Sequence, residues 1–342
     1  MPLTGIIVGA GHFAHIQLEA WQEVQGARIT AVLSLTMENA QQLADLYGIR
    51  AFDDWDTAIR EMQPDFVDIC TPPDSHYHYT RLTADLGLPV LCQKPLAPTL
   101  QEGEALVAYC EQRGVPLMIN ENWRWQAWYR EMKAMMDAGM LGHVYSAYMA
   151  MRPGDGWGDN PYPVQPYFKE MKQFLIFETG VHYIDTYRYL LGEIDSLYCQ
   201  VRTLNPVIQG EDLAVIHMNF RGGAVGLYDA NRVTYMEQVR CPTYGYMTME
   251  GTEGKLRLEG DGSIYYTPRG GIERKHEYVI PTKGWKGGCT IATQQHFVDA
   301  LQEGSPFETS GTDYLASVRA VYACYESAST NQVVHLNAAA NN

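Results

Sequence analysis

The stretch IIVGAGHFA, residues 6–14, is an apolar run closed by G-x-G-x-x-A and followed at once by the helix-patterned HFAHIQLEAWQEV. This order constrains the fold more than any other feature, because it demands a buried strand that turns sharply into a helix. Gly9 permits the tight turn, Gly11 lets a pyrophosphate approach the backbone, and Ala14 lets the helix lie close to the strand. His12 and Phe13 sit inside the turn, and the start of the helix faces the phosphates. Gly9, Gly11, His12, Phe13 and Ala14 are thus candidate dinucleotide contacts. An ordinary strand-to-helix turn is the plain alternative.

The same rhythm repeats as far as about residue 120. Apolar runs TGIIVG, RITAVLS, a weaker RAF, DFVDIC, PVLC and VPLMIN alternate with MENAQQLADLYG, DWDTAIREM, SHYHYTRLTADLG and TLQEGEALVAYCEQRG, whose apolar residues recur at helical spacing. Thr99 with Glu102 forms a capping-box pattern, and Gly87 and Gly114 stand where helices stop. Strand and helix in alternation mean a parallel sheet covered on both faces. The second run ends at Ser34, where a carboxylate for the ribose of NAD is usual. No Arg or Lys follows closely to hold the extra phosphate of NADP, so the cofactor is NAD or NADP.

After residue 120 the period changes. WYREMKAMMDAGML leads to HVYSAYMAMR, then to the Gly-, Pro- and aromatic-rich RPGDGWGDNPYPVQPYF, and then to a helix near TGVHYIDTYRYLLG. Alternating runs follow: SLYCQVRTL, LAVIHMNF, AVGLYDANRVT, GYMTMEG, KLRLEG, SIYYTP and HEYVIP, several of them separated by glycine turns. They predict an antiparallel sheet with one wet face, joined by helices including the closing TDYLASVRAVYACYESA. Two domains are expected, residues 1–121 and 122–335, as suits 342 residues.

The formal charge of −15 argues against nucleic acid, which needs clustered Lys and Arg. No apolar run approaches the roughly 20 residues that span a bilayer, and the start lacks the pattern of a secretory signal, so a cytoplasmic protein is expected. Seven scattered cysteines without C-x-x-C spacing indicate neither a disulfide framework nor a zinc site. His12 with His15, and His76 with His78, lack Cys or carboxylate partners at ligand spacing, so no metal is expected.

Four motifs, VGAGHFAH, CTPPDSHYH, CQKPLA and ETGVHYIDTYRYLLG, occur in an order that resembles the Gfo/Idh/MocA family of sugar and cyclitol dehydrogenases over nearly the whole chain. The resemblance implies an N-terminal Rossmann domain with a doubly wound parallel sheet, giving α/β plus α+β overall, and a C-terminal domain with an open antiparallel sheet. It also implies hydride exchange between NAD(P) and a secondary alcohol or ketone of a sugar-like or cyclitol substrate, and a homodimer or homotetramer. The family's Glu-Lys-Pro falls on Gln93, Lys94 and Pro95, and its Asp-x-x-x-His on Glu178 and His182. Lysine and histidine match, whereas both acids depart. Gln93 can donate and accept hydrogen bonds but carries no negative charge. Thr71, Pro72 and His76 are implied beside the cofactor, His76 with a structural role as its alternative.

Oxidising a secondary alcohol needs a base for the hydroxyl proton and a positive group for the oxygen. Lys94 supplies the charge in this reading and His182 takes the proton, an imidazole being suited to neutral pH. Glu178, four residues earlier, or Asp185, three later, is placed to orient the ring. Asn122, Arg124 and Trp125 follow the sixth strand and are candidates for reading and stacking on a sugar, with packing of the domain seam as the equal alternative. Trp157, Tyr162 and Tyr167 belong to an aromatic loop that suits a lid, or else a packed surface loop. Two other activities stay open: a glycosidase that oxidises transiently with retained NAD, and a sensor that binds nucleotide and sugar without turnover.

Overall fold

The computed structural model describes residues 2–235 and 241–336. The chain divides into two compact units, Met1–Trp125 with Thr282–Val318, and Gln126–Pro281 with Arg319–Asn342.

The first unit opens with β1 (Leu3–Val8), α1 (His12–Trp21), β2 (Ala27–Leu33), α2 (Met37–Tyr47), β3 (Arg50–Phe52) and α3 (Trp55–Met62). It continues through β4 (Phe66–Ile69), α4 (His76–Asp85), β5 (Val90–Gln93), α5 (Leu100–Arg113) and β6 (Leu117–Asn120). Among the described residues six strands form one sheet in the order β3-β2-β1-β4-β5-β6, every pair parallel. This is the doubly wound sheet that the alternating pattern predicts, and the strand order reverses between β1 and β4. Helix ends fall where the sequence sets them. Thr99 accepts from the Glu102 N–H at 3.2 Å, and Gly114 closes α5 in the left-handed region.

The second unit contains α6 (Ala127–Asp137), β7 (Val144–Met151), α7 (Val181–Leu191), β8 (Ile194–Arg202), β9 (Leu213–Phe220), β10 (Val225–Asn231) and β11 (Gly245–Gly251). Strands β12 (Gly254–Leu258), β13 (Ile264–Pro268) and β14 (Arg274–His276) follow. Helices α8 (Cys289–Glu303) and α9 (Gly311–Thr330) and the short β15 (Val334–His335) complete the described chain. The sheet runs β14-β13-β12-β11-β7-β10-β9-β8-β15 among the described residues. The sheet is mostly antiparallel, as expected, with one parallel pair, β7 and β10. Tyr183 and Tyr187 of α7 stack on Tyr228 and Phe220 of its buried face, with centroids 4.9 and 6.0 Å apart. Strand β9 alternates between buried and more exposed residues, as a sheet with one wet face should.

One expected strand is shorter than its pattern, and the compact units do not coincide with the expected domains. HEYVIP contributes only His276 to a strand, because Tyr278 turns away to donate to the Gly262 carbonyl. Trp123–Trp125, just past the expected boundary at residue 121, lie in the first compact unit. The chain also returns to that unit at residues 282–318. Phe297 and Val298 of α8 are fully buried in the core with Leu18, Trp21 and Phe66, and each such side chain contributes about 2 kcal/mol by leaving water. Gln294 donates to the Gln17 carbonyl, and Thr309 to the Ile119 carbonyl.

Candidate active site

The glycine turn is built as its residues require. Gly9 has φ +114°, and a Cβ there would meet the Cys70 carbonyl oxygen at 2.3 Å, so only glycine fits. Gly11 caps α1 in an extended conformation, and a Cβ there would meet no protein atom within 4 Å, which leaves that side open to a ligand. Ala14 is fully buried under the helix, His12 is exposed, and Phe13 packs edge-on against Trp285 at 5.6 Å. Ser34 follows β2, donates its N–H to the Phe52 carbonyl and is half-buried. This donor set fits a nicotinamide dinucleotide: open backbone at a helix start for the pyrophosphate, and a hydroxyl near the ribose.

At the end of β4, Thr71 accepts a hydrogen bond from Ser75 at 2.7 Å, while Pro72 is exposed. His76 lies wholly inside, with Nε2 at 2.8 Å from the Thr71 carbonyl and Nδ1 at 3.2 Å from that of Leu96. Burial lowers its pKa, so the ring is neutral and donates to one carbonyl at a time. Of the two roles considered for His76, splinting the turn to the chain after Pro95 is the one this geometry fits.

Strand β5 delivers Gln93 and Lys94 to the same edge of the sheet. Gln93 is 6% exposed; its Oε1 accepts from the Lys94 N–H at 2.9 Å and its Nε2 donates to Gln17 at 3.2 Å. Gln17 in turn donates to both oxygens of Asp68 at 2.9 Å, and Trp21 donates to Asp68 at 2.8 Å. Burial pushes the Asp68 carboxyl up to about 7, against the opposing pull of the Trp21 and Gln17 bonds. Lys94 is half-buried and joined to Pro95 by a cis peptide. Beside Gln93 in the ladder stands Asn120, fully buried, with no partner for its side-chain oxygen or nitrogen among the described residues. Buried polar groups of this kind mark places where a ligand can complete the bonding.

In the second unit the helix carrying His182 starts earlier than its pattern suggests. Leu175–Gly180 wind as a π turn that runs into α7, so Glu178 lies within the helical path. Glu211 accepts from the N–H groups of Phe174 and Ile176 and from the Tyr325 hydroxyl, pinning the start of that turn. The Glu178 carboxylate accepts from Thr179 at 2.6 Å and lies 3.9 Å from Arg232. Arg232 is itself buried, bonded to Thr179 and to both oxygens of Asp155, within a cage of Tyr162, Phe168 and Phe174. Burial alone would lower its pKa, but the Asp155 bonds and charge, and then Glu178, hold it above the usual arginine range. His182 is 6% exposed, one turn after Glu178.

Other candidates turn inward. Asp185 is fully buried and faces Arg188 at 3.8 Å, a structural pairing. Arg124 reaches the Glu308 carbonyl and Asp313, and Trp125 lies on His296 at 4.7 Å, so both pack within the first unit. Asn122 is buried with no partner for its Oδ1 among the described residues. Tyr162 is 2% exposed, whereas Trp157 and Tyr167 stand largely in solvent. Asn205 donates to the carbonyls of Gly156 and Gly158, which ties the aromatic loop down as a packed surface loop. Sequence reasoning missed Arg232, Asp155 and Gln17, whose partners lie 51 to 77 residues away. It also missed Trp285 and Lys286, packed with Trp123 in the first unit.

Comparison with known proteins agrees with this geometry. The model of the oxidoreductase family with an NAD-binding Rossmann fold matches residues 4–121, and the GFO/IDH/MocA C-terminal domain matches residues 129–257. D-apiose dehydrogenase of Rhizobium rhizogenes is 32% identical over 343 residues, covering 98% of each chain. The D-apiose dehydrogenase of Paraburkholderia graminis is 30% identical, covering 97% of this chain and 89% of its own. A solved oxidoreductase from Agrobacterium radiobacter, in complex with NAD+, L-tartaric acid and magnesium, matches with a TM-score of 0.91 at 31% identity over 98% of each chain. The chain belongs to the Gfo/Idh/MocA family. It is an NAD(P)-dependent oxidoreductase that acts on the CH–OH groups of sugars. Among the described residues no helix is long and apolar enough to cross a membrane.

Proposed function

We infer that the chain oxidises a carbinol of D-apiose, or of a sugar of similar size, with Lys94 and His182 as its catalytic residues. The substrate follows the two full-length relatives at 32% and 30% identity. The observation that carries the catalytic reading is Lys94 itself: a cation follows directly on β5 at the edge of the sheet where the glycine turn also lies. NAD(P) held at the glycine turn would supply the hydride acceptor for the carbinol carbon. His182 accepts the hydroxyl proton, and the Lys94 ammonium stabilises negative charge as it builds on the oxygen. Glu178, braced by Thr179 and Arg232, orients the imidazole. Gly9, Gly11, Ser34 and Thr71 would hold the dinucleotide, and Gln93 and Asn120 would offer amides to it or to the sugar.

The chain works in the cytoplasm as a homodimer or homotetramer. Seven free cysteines support a reducing setting, and the partly exposed Tyr145, Val225 and Leu227 on the sheet support association there. Initial rates of reduced cofactor formation with D-apiose, D-xylose, a D-glucoside and myo-inositol, each with NAD+ and NADP+, test the substrate. Highest kcat/KM on D-apiose is expected, and a clear preference for a glucoside or a cyclitol contradicts it.

A further inference from the structure

A row of buried side chains runs to the Lys94 backbone, and it begins and ends on a group that can only donate. Trp21 Nε1–H is one end and Lys94 N–H the other, with Asp68, Gln17 and Gln93 between them. A side-chain amide passes polarity along, accepting on one side and donating on the other. A row closed by donors at both ends therefore needs one member that accepts on both sides. Ionised Asp68 is that member: it accepts from Trp21 and from Gln17, which leaves Gln17 Oε1 facing Gln93 and Gln93 Oε1 facing Lys94. Asp68 and Gln17 are fully buried and Gln93 is 6% exposed, so no solvent replaces a missing bond cheaply.

We propose that Asp68 is a positioning residue for Lys94: by accepting on both sides it fixes the Gln17 and Gln93 amides so that Gln93 Oε1 holds the Lys94 N–H, and it supplies from β4 the carboxylate that position 93 lacks. The inference rests on Lys94 acting at the substrate oxygen. Protonation of Asp68 turns one of its oxygens into a donor. Where that proton points at Gln17, Gln17 turns to accept it, both amides reverse, and the Gln93 NH2 meets the Lys94 N–H with no acceptor between them. The titratable groups facing Asp68 are Cys70 just past the end of its strand and Cys92 on β5, thiols that burial pushes up and keeps neutral. Helix α1 faces it with Trp21 and Gln17.

Asp68→Asn keeps the shape but donates on one side, leaving one donor too many. Asp68→Asn with Gln93→Glu moves the double acceptor to the other end and restores a complete row with Gln17 reversed. With D-apiose and NAD+, the single variant should lose about tenfold in kcat, the worth of one hydrogen bond, with NADH affinity unchanged within about twofold. The double variant should recover most of that loss, which a merely structural role would not produce. Wild-type kcat in Asp68→Asn, or no recovery in the double variant, overturns the proposal. The wild-type protein gives an independent reading should a variant misfold. Its Lys94 amide resonance should shift with a midpoint near 7 as Asp68 titrates, and a resonance that does not move across neutral pH overturns the proposal as well. Lys94→Ala separates the two ideas. Normal turnover there refutes the role of Lys94, whereas an inactive Lys94→Ala beside a fully active Asp68→Asn refutes only the role of Asp68.

Discussion

The Arg232 guanidinium stands 3.9 Å from the Glu178 carboxylate while both of its outer edges are committed to Asp155 and Thr179. It therefore braces the π turn and leaves the substrate to other groups. Arg232→Lys keeps the charge but loses the fork that grips Asp155. It should lower kcat about tenfold through a loosened Glu178, and it should destabilise the second unit by ~2 kcal/mol by weakening the bonds of a buried cation to the partly exposed Asp155. NADH affinity, a property of the first unit, should stay the same. Urea denaturation with fluorescence titration of NADH checks all three.

Asp68 makes stability depend on pH in a direction opposite to that of most carboxylates. Its value is raised from 3.8 to about 7 in the folded chain, so its favourable contribution is complete below 3.8 and is lost as pH rises through 7. That displacement is worth ~4 kcal/mol at most. Asp68→Asn should lack this fall and unfold at higher urea than wild type at mildly alkaline pH, while the two converge in mild acid. Midpoints measured at both pH values check the sign. The proposed cost in stability is the counterpart of the positioning role.

Cofactor preference should respond to Ser34. The positions after β2 are Ser34, Leu35 and Thr36, with neither an acid to bond a ribose nor a base to bond a phosphate. Ser34→Asp should lower kcat/KM with NADP+ at least tenfold through charge repulsion while leaving NAD+ within about threefold. Parallel initial-rate measurements with the two cofactors decide it.

Local chemistry was legible where the chain supplies it within a few residues. The Gly9 turn, the Thr99 cap and the strand that leads into Lys94 all follow from neighbouring side chains, and the structure keeps each. Groups paired over long separations were not legible. Nothing near Asp68 in sequence announces Gln17 or Trp21, and nothing near Glu178 announces Arg232. The return of residues 282–318 to the first unit was hidden for the same reason: the apolar face of α8 names no partner until α1 is seen against it. The parallel pairing of β7 with β10 was equally invisible, because alternation sets which face is buried and not which neighbour a strand chooses. Aromatic residues misled in both directions. Tyr162 is walled in beside Arg232, while Trp157 from the same loop lies in water.

The central proposal is that Lys94 and His182 are each needed for the hydride-transfer step. Single-turnover formation of reduced cofactor in Lys94→Ala and His182→Ala, at saturating sugar and NAD+, tests it most directly. Each variant should slow the chemical step by roughly a hundredfold or more, the scale of a missing acid–base or charge-stabilising group, while binding NADH as the wild type does. A rate near wild type in either variant would contradict the assignment.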